Sequence, residues 1–254
     1  MFFGKPKSIL SVADDEWQRE TFRWLVGHLK DDSHSYKLIT PTRDYFPDRC
    51  SSPKEVVENT FKRVLEYSGM TDWPCVLQAQ EYDPNPNVGR TLVVQGSPQS
   101  PAGTFRLDEQ QRAIITFNPA LVSDVQSLVA TFAHELAHYK LAAVNELPPG
   151  GKDNIEFATD LAALFMGFGI FLIHSAFQFR QYTDSASGTQ GWSTRRAGYL
   201  MQPELVQALA LFVLHNRMEK NSPAHFLRSA WKGPYRKSIR YLESIDAAGS
   251  LRVT

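Results

Sequence analysis

His134 and His138 stand four residues apart in TFAHELAHYK, Thr131 to Lys140, with Glu135 directly after the first histidine. An α-helix turns about 100° per residue, so such a pair lies about 40° apart on one face and about 6 Å apart along the axis. Two imidazoles in that relation can converge on one tetrahedral Zn²⁺, with Zn–N bonds of about 2.0 to 2.1 Å. Glu135 projects beside that vertex, where it can reach a metal-bound water. The stripe continues through Ala130, Thr131, Ala137 and Ala142, small residues that leave room for another helix or a metal to come close. Two buried histidines with only a structural role would need other hydrogen-bond partners.

Carboxylates follow at a matching place. DNIEFATDLAA sets Glu156 and Asp160 at i and i+4, with Ala163 and Gly167 extending the same face. Two acids followed by small residues, on a segment otherwise apolar all round, form a polar notch in a buried surface, and buried charges need a partner or a metal. Glu156 has a plain alternative, since Asp153-x-x-Glu156 is similar to a capping box with Asp in place of Ser or Thr. Asp160 has only the weaker one of an acid near a helix N-terminus.

The H-E-x-x-H stretch resembles the metal helix of the zincin metallopeptidases. The following segment is similar to the N-E-x-x-S-D pattern of the thermolysin-like and related gluzincins. Here it reads Glu156-Phe-Ala-Thr159-Asp160, with Thr in place of Ser and Ile155 between Asn154 and the Glu. His138 and Glu156 are separated by 17 residues, similar to the short-spaced gluzincins. The resemblance covers about 30 residues. It implies one Zn²⁺ per chain held by His134, His138 and Glu156, with Asp160 orienting one histidine and Glu135 as general base toward a zinc-activated water. A second resemblance is to uncharacterised bacterial proteins that combine H-E-L-x-H with a TDL…GFG segment, here Thr159-Asp160-Leu161 and Gly167-Phe168-Gly169. It implies a family without an activity, and it leaves open the exchange of roles in which Asp160 is the ligand and Glu156 supports a histidine. The first assignment is preferred because a ligating histidine needs a carboxylate behind it and Asp160, one turn deeper, can supply it. A tetrahedral oxyanion would need a further donor, for which Tyr199 in RRAGYL is nominated. His174 lies about 27 Å along the helix from Glu156, too far to serve.

These residues must be carried by ordered elements. Residues 1 to 70 read as a mainly helical lobe with an irregular stretch around ITPTRDYFPDRCSSP. A helix is predicted from Ser52 as N-cap and Pro53 at its first position, with Val56, Val57, Phe61, Val64 and Leu65 on one stripe. Residues 71 to 180 form the expected core. CVLQAQEY, TLVVQG, GTFRLD and RAIITFN read as strands, the last two joined as a hairpin by Asp108 to Gln111. A helix capped by Ser123 or Asp124 then carries the histidines, and a second runs from about Asp153 to Phe177; a loop of about ten residues between them favours antiparallel packing. RAIITFN could offer a free edge for an extended peptide by strand addition, or it could be central. Residues 181 to 254 read as a polar loop, Arg180 to Gly198, that could be a flap or a linker, followed by helices from Pro203. The three parts are expected to form one body, an α+β fold with a zincin-like core, a small sheet before the metal helix and extra helices at both ends.

Composition narrows the class. The chain has 254 residues, 43% of them hydrophobic, enough for a sizeable core. Lys plus Arg and Asp plus Glu each total 27, so no whole-chain field draws the protein to nucleic acid, and none is expected as a partner. Arg228, Lys232, Arg236, Lys237 and Arg240 form a basic stretch read as a solvated face rather than an anion grip. Two cysteines, Cys50 and Cys75, make no disulfide framework, and MFFGKPKSILSVADDEW has no signal-peptide pattern; both point to the cytoplasm. LAALFMGFGIFLI is thirteen apolar residues, short of the about 20 of a membrane span, and is expected to be a core helix. His28, His34, His215 and His225 have no ligand spacing. The expectation is a zinc-dependent metallohydrolase, a peptidase acting on a peptide or protein substrate. The alternative is a non-catalytic zincin-fold protein whose structural zinc braces a binding or regulatory module; a third reading is a helical interaction domain with a chance motif and no metal.

Overall fold

Side-chain caps open two of the helices that build the site's surroundings, at Ser52 and Asp124. In the computed structural model, which describes residues 5–29, 35–81, 101–110, 112–176 and 199–245, α1 runs Val12–Leu29 and α2 runs Pro53–Tyr67. The Ser52 side chain accepts from the Glu55 amide and Pro53 opens α2, while Val57, Phe61 and Val64 turn inward. Asp124 is the cap of α3, Val125–Ala142, and accepts from the Ser127 amide. Three strands, β1 Cys75–Ala79, β2 Gly103–Leu107 and β3 Ala113–Phe117, lie between. Among the described residues, α4, Ile155–Ala163, is followed by α5, Gln202–His215, and α6, Ser229–Ser244. This is a mixed α+β architecture, mainly helical with one small sheet.

The sheet order is β1-β3-β2, with β1 parallel and β2 antiparallel to β3. RAIITFN is therefore the central strand, and its Ala113, Ile115 and Phe117 are buried toward the helices. The edge near α3 is β2 instead. Asp108 closes the β2–β3 hairpin by accepting from the Gln110 and Arg112 amides. Asn118 donates to Ala102 O and Asp108 to Arg112 O, so the paired positions of β2 are the even ones. By the alternation of an antiparallel ladder, the N–H and C=O groups of Gly103, Phe105 and Leu107 face away from β3. The expected strand TLVVQG lies outside the described residues, as does the loop Arg180 to Gly198.

Helices α3 and α4 run antiparallel, since His134 meets Asp160 while Ser127, about two turns earlier, meets Ser175 far along the second helix. After Ala163 that helix passes through a π-type turn, Leu164–Phe168, in which Gly167 adopts φ 104°. Only glycine suits this position: a Cβ there would stand 2.0 Å from the Lys37 carbonyl oxygen. Gly167 O in turn accepts from the Ile39 amide at 3.0 Å. The whole helix, Gly151–Ala176, is longer than the apolar stretch suggested. By length and composition it could cross a membrane, so length does not separate the two readings; 89% of its most apolar window is buried within this fold.

A buried polar knot joins the two ends of the chain. Asp15, 3% exposed, accepts from Gln207 of α5 at 2.8 Å, from Tyr241 of α6 at 2.8 Å and from Arg19 at 3.0 Å. Gln18 donates to Glu204 O at 2.8 Å beside it. Within the middle of the chain, Phe132 of α3 sits edge-on to both Phe61 of α2 and Phe117 of β3. The helix bearing the histidines is thereby packed between α2, the sheet and α4.

Candidate metal centre

Helix α3 points His134 and His138 at the same space, and α4 brings Glu156 to meet them. His134 Nε2 and His138 Nε2 are 3.1 Å apart, and Glu156 Oε2 lies 3.4 Å from the first and 3.2 Å from the second. Ligands at tetrahedral angles around zinc, with bonds near 2.05 Å, stand about 3.3 Å from one another. The three atoms thus form a triangle of the right size for one cation.

The back of each ring fixes where its proton sits. Asp160 Oδ1 is 2.9 Å from His134 Nδ1, so Nδ1–H donates to the carboxylate. Thr159 donates its hydroxyl to Ile155 O at 2.8 Å, so its oxygen accepts from His138 Nδ1–H at 3.3 Å. In their neutral forms both imidazoles would therefore turn a lone pair forward, onto each other and onto a carboxylate oxygen. Three acceptors facing one another repel unless positive charge lies among them. A proton satisfies one edge of the triangle, whereas a metal at its centre satisfies three corners.

Electrostatics show how strongly the cluster draws positive charge, here as a proton on His134. Burial by itself would push the His134 imidazole down, but hydrogen bonds to Asp160 and Glu156 outweigh it and push it up to about 10. Burial likewise would raise Glu156, yet both histidines hold its carboxyl well below the usual carboxylate range. Glu135 is raised, chiefly by its own burial and against the pull of the two histidines, the direction that equips a carboxylate to take and hold a proton. His134, Glu135, Thr159 and Asp160 are all at most 5% exposed, while the Glu156 side chain is 44% exposed at the mouth.

A cleft of about 400 Å³ opens over the triangle, lined by Gly103, Thr104 and Phe105 of β2, by the two histidines, Glu135 and Glu156, and by Tyr199. The Phe105 and His138 ring planes are parallel, with centroids 6.2 Å apart. Tyr199 leans over His134, ring centroids 5.1 Å apart. The structure thus brings Glu135, His134, His138, Glu156, Asp160 and Tyr199 together, with Asp160 behind His134 and Glu156 in front. The capping-box account of Glu156 does not hold: α4 is preceded by a 3-10 turn, Gly151–Asn154, and its N-cap Asn154 makes no side-chain cap bond. His174 hydrogen bonds Gln126 away from the cluster. His28 pairs with Glu146, and His34 lies outside the described residues.

Two participants escape a reading of the motif alone. Thr159 entered only as a replacement for Ser, and its role as acceptor for His138 depends on the helix-to-helix approach. Gly103 is the other: a Cβ there would stand 2.6 Å from Thr131 Cγ2 and 2.9 Å from Glu135 Oε1. A lone glycine in a strand signals close backbone approach, and GTFRLD carries that signal at Gly103. Compared with protein-family models, with curated proteins and with solved structures, the chain matches none.

Proposed function

We propose that this chain is a zinc-dependent hydrolase with a zincin-like core that cleaves amide bonds in extended peptides. The observation that carries the reading is the triangle of His134 Nε2, His138 Nε2 and Glu156 Oε2, three acceptors whose ring protons are committed elsewhere. The donor set of two imidazoles and one carboxylate suits zinc, and three protein ligands beside an open cleft match a catalytic rather than a closed structural site. When bound, zinc would supply a water acidified toward neutrality and a Lewis-acid contact for a carbonyl oxygen.

The remaining work falls to the chain's own side chains. Glu135, buried beside the triangle and with its affinity for protons raised, accepts a proton from water and returns it to the leaving amine. Tyr199 overhangs the cleft as the candidate donor to the developing oxyanion. An extended peptide is favoured because the N–H and C=O groups of Gly103 and Phe105 face away from β3, without a partner strand among the described residues, in a strand that lines the cleft. Reconstitution with zinc followed by incubation with a quenched fluorescent peptide library tests the reading. Cleavage by the parent, abolished by chelator and reduced at least about 100-fold in Glu135→Gln with zinc retained, is the expected result. A zinc-loaded parent that cleaves no peptide, with Glu135→Gln indistinguishable from it, would overturn the peptidase assignment.

A further inference from the structure

Asp160 has a second hydrogen bond that the metal centre does not require. Its Oδ1 takes the His134 Nδ1–H, and its Oδ2 takes the backbone N–H of Leu200 at 2.8 Å. Leu200 is 3% exposed, its side chain packed into the core. Next to it, Tyr199 lines the cleft against His134. On the other side, the Met201 amide donates to Glu204 and Gln202 ties α5 back to Ile173 O. Tyr199 therefore adjoins a shelf that Asp160 fastens at the neighbouring residue.

We propose that Asp160 is a positioning residue with two loads: it holds His134 toward the cation and, through the Leu200 amide, holds Tyr199 over the cleft, so that one carboxylate aligns the metal ligand and the substrate-facing wall together. The inference rests on the metal-centre reading and extends it to Tyr199. The chemistry of the group explains why a carboxylate is needed. Both partners are N–H donors, and an ionised Asp offers an acceptor oxygen to each. Asparagine offers one oxygen and one NH₂. Turned so that its oxygen faces Leu200, it presents N–H to His134 Nδ1, which drives the ring proton to Nε2 and blocks the metal. Turned the other way, it serves the metal-binding tautomer and sets NH₂ against the Leu200 N–H, releasing the shelf.

The two loads thus become antagonistic in Asp160→Asn and stay compatible in the parent. The test measures zinc affinity by competition with a chromophoric chelator, together with hydrogen exchange of the Leu200 amide by NMR, on the full chain with and without zinc. In the parent, Leu200 exchanges slowly in both states. In Asp160→Asn, zinc binds about 10- to 100-fold more weakly, and adding saturating zinc speeds Leu200 exchange by about tenfold, the scale of one lost hydrogen bond. Asp160→Ala, which removes both acceptors, exchanges Leu200 fast with or without zinc, and it decides the tether alone if the Asn variant does not fold. A purely structural defect would speed core amides on α5 equally and independently of zinc. Leu200 exchanging at the parent's rate in both variants overturns the proposal while the metal reading stands. A parent that takes up no zinc overturns the metal reading and the coupling with it.

Discussion

Alanine at position 103 places a methyl group where the site has no room. An ideal Cβ on Gly103 would lie 2.6 Å from Thr131 Cγ2, 2.9 Å from Glu135 Oε1 and 2.9 Å from Thr116 O. The backbone there is outside the left-handed region, so the penalty is contact rather than torsional strain. Two of the three neighbours yield little. Thr116 O belongs to the central strand, and Thr131 is fully buried with its hydroxyl bound to Ser127 O at 2.9 Å. Overpacking of this kind costs about 1 to 3 kcal/mol. For a chain of this size each kcal/mol moves Tm by about 2 to 4 °C, so Gly103→Ala is expected to melt about 2 to 12 °C below the parent. Glu135 is the most movable of the three neighbours, and a shift of about 1 Å in a general base lowers turnover on the order of 100-fold. Calorimetry of the zinc-free protein isolates the packing term. Adding Thr131→Ser, which removes Cγ2, should recover part of the loss and leave the contacts to Glu135 and Thr116, so the double-mutant cycle shows a coupling above about 0.5 kcal/mol. A Gly103→Ala protein that melts with the parent, or a cycle that closes to zero, would refute this account of how β2 abuts α3.

Three further expectations follow from other parts of the structure. Asp15→Ala removes the acceptor shared by Arg19, Gln207 and Tyr241 and should destabilise the chain by about 3 kcal/mol in urea denaturation, the low end for breaking a buried pair because Arg19 can turn to water; zinc content should not change. Thr159→Val deprives His138 Nδ1–H of its acceptor and should weaken zinc binding about 10- to 100-fold in chelator competition, with little change in melting of the zinc-free form. The third concerns pH in zinc-free protein. The folded His134 is pushed up to about 10 from an ordinary 6.5, so its contribution to stability is full below pH 6.5 and is lost as pH rises through about 10. Denaturation midpoints should fall across that window in the parent and stay flatter in His134→Gln.

What the sequence revealed was whatever local spacing encodes. The i, i+4 pairs His134/His138 and Glu156/Asp160, and the caps at Ser52 and Asp124, depend on helix geometry alone, so they could be read without the fold. Strand order could not, because β1 joins β3 in parallel across the intervening β2, and nothing in RAIITFN distinguishes a central strand from an edge. The Leu200 amide on Asp160 lies 40 residues away and Gln207 lies 192 residues from Asp15, pairings that only tertiary packing creates. Gly167 illustrates a middle case: its GFG segment stands out in the sequence, but the need for glycine comes from the Lys37 carbonyl that presses on it.

The central claim is a cation among His134, His138 and Glu156, and elemental analysis of protein purified without a metal-binding tag tests it most directly. About one zinc per chain is expected in the parent, lost in His138→Ala and strongly reduced in Glu156→Ala. No zinc in the parent, even after incubation with the metal, would contradict it.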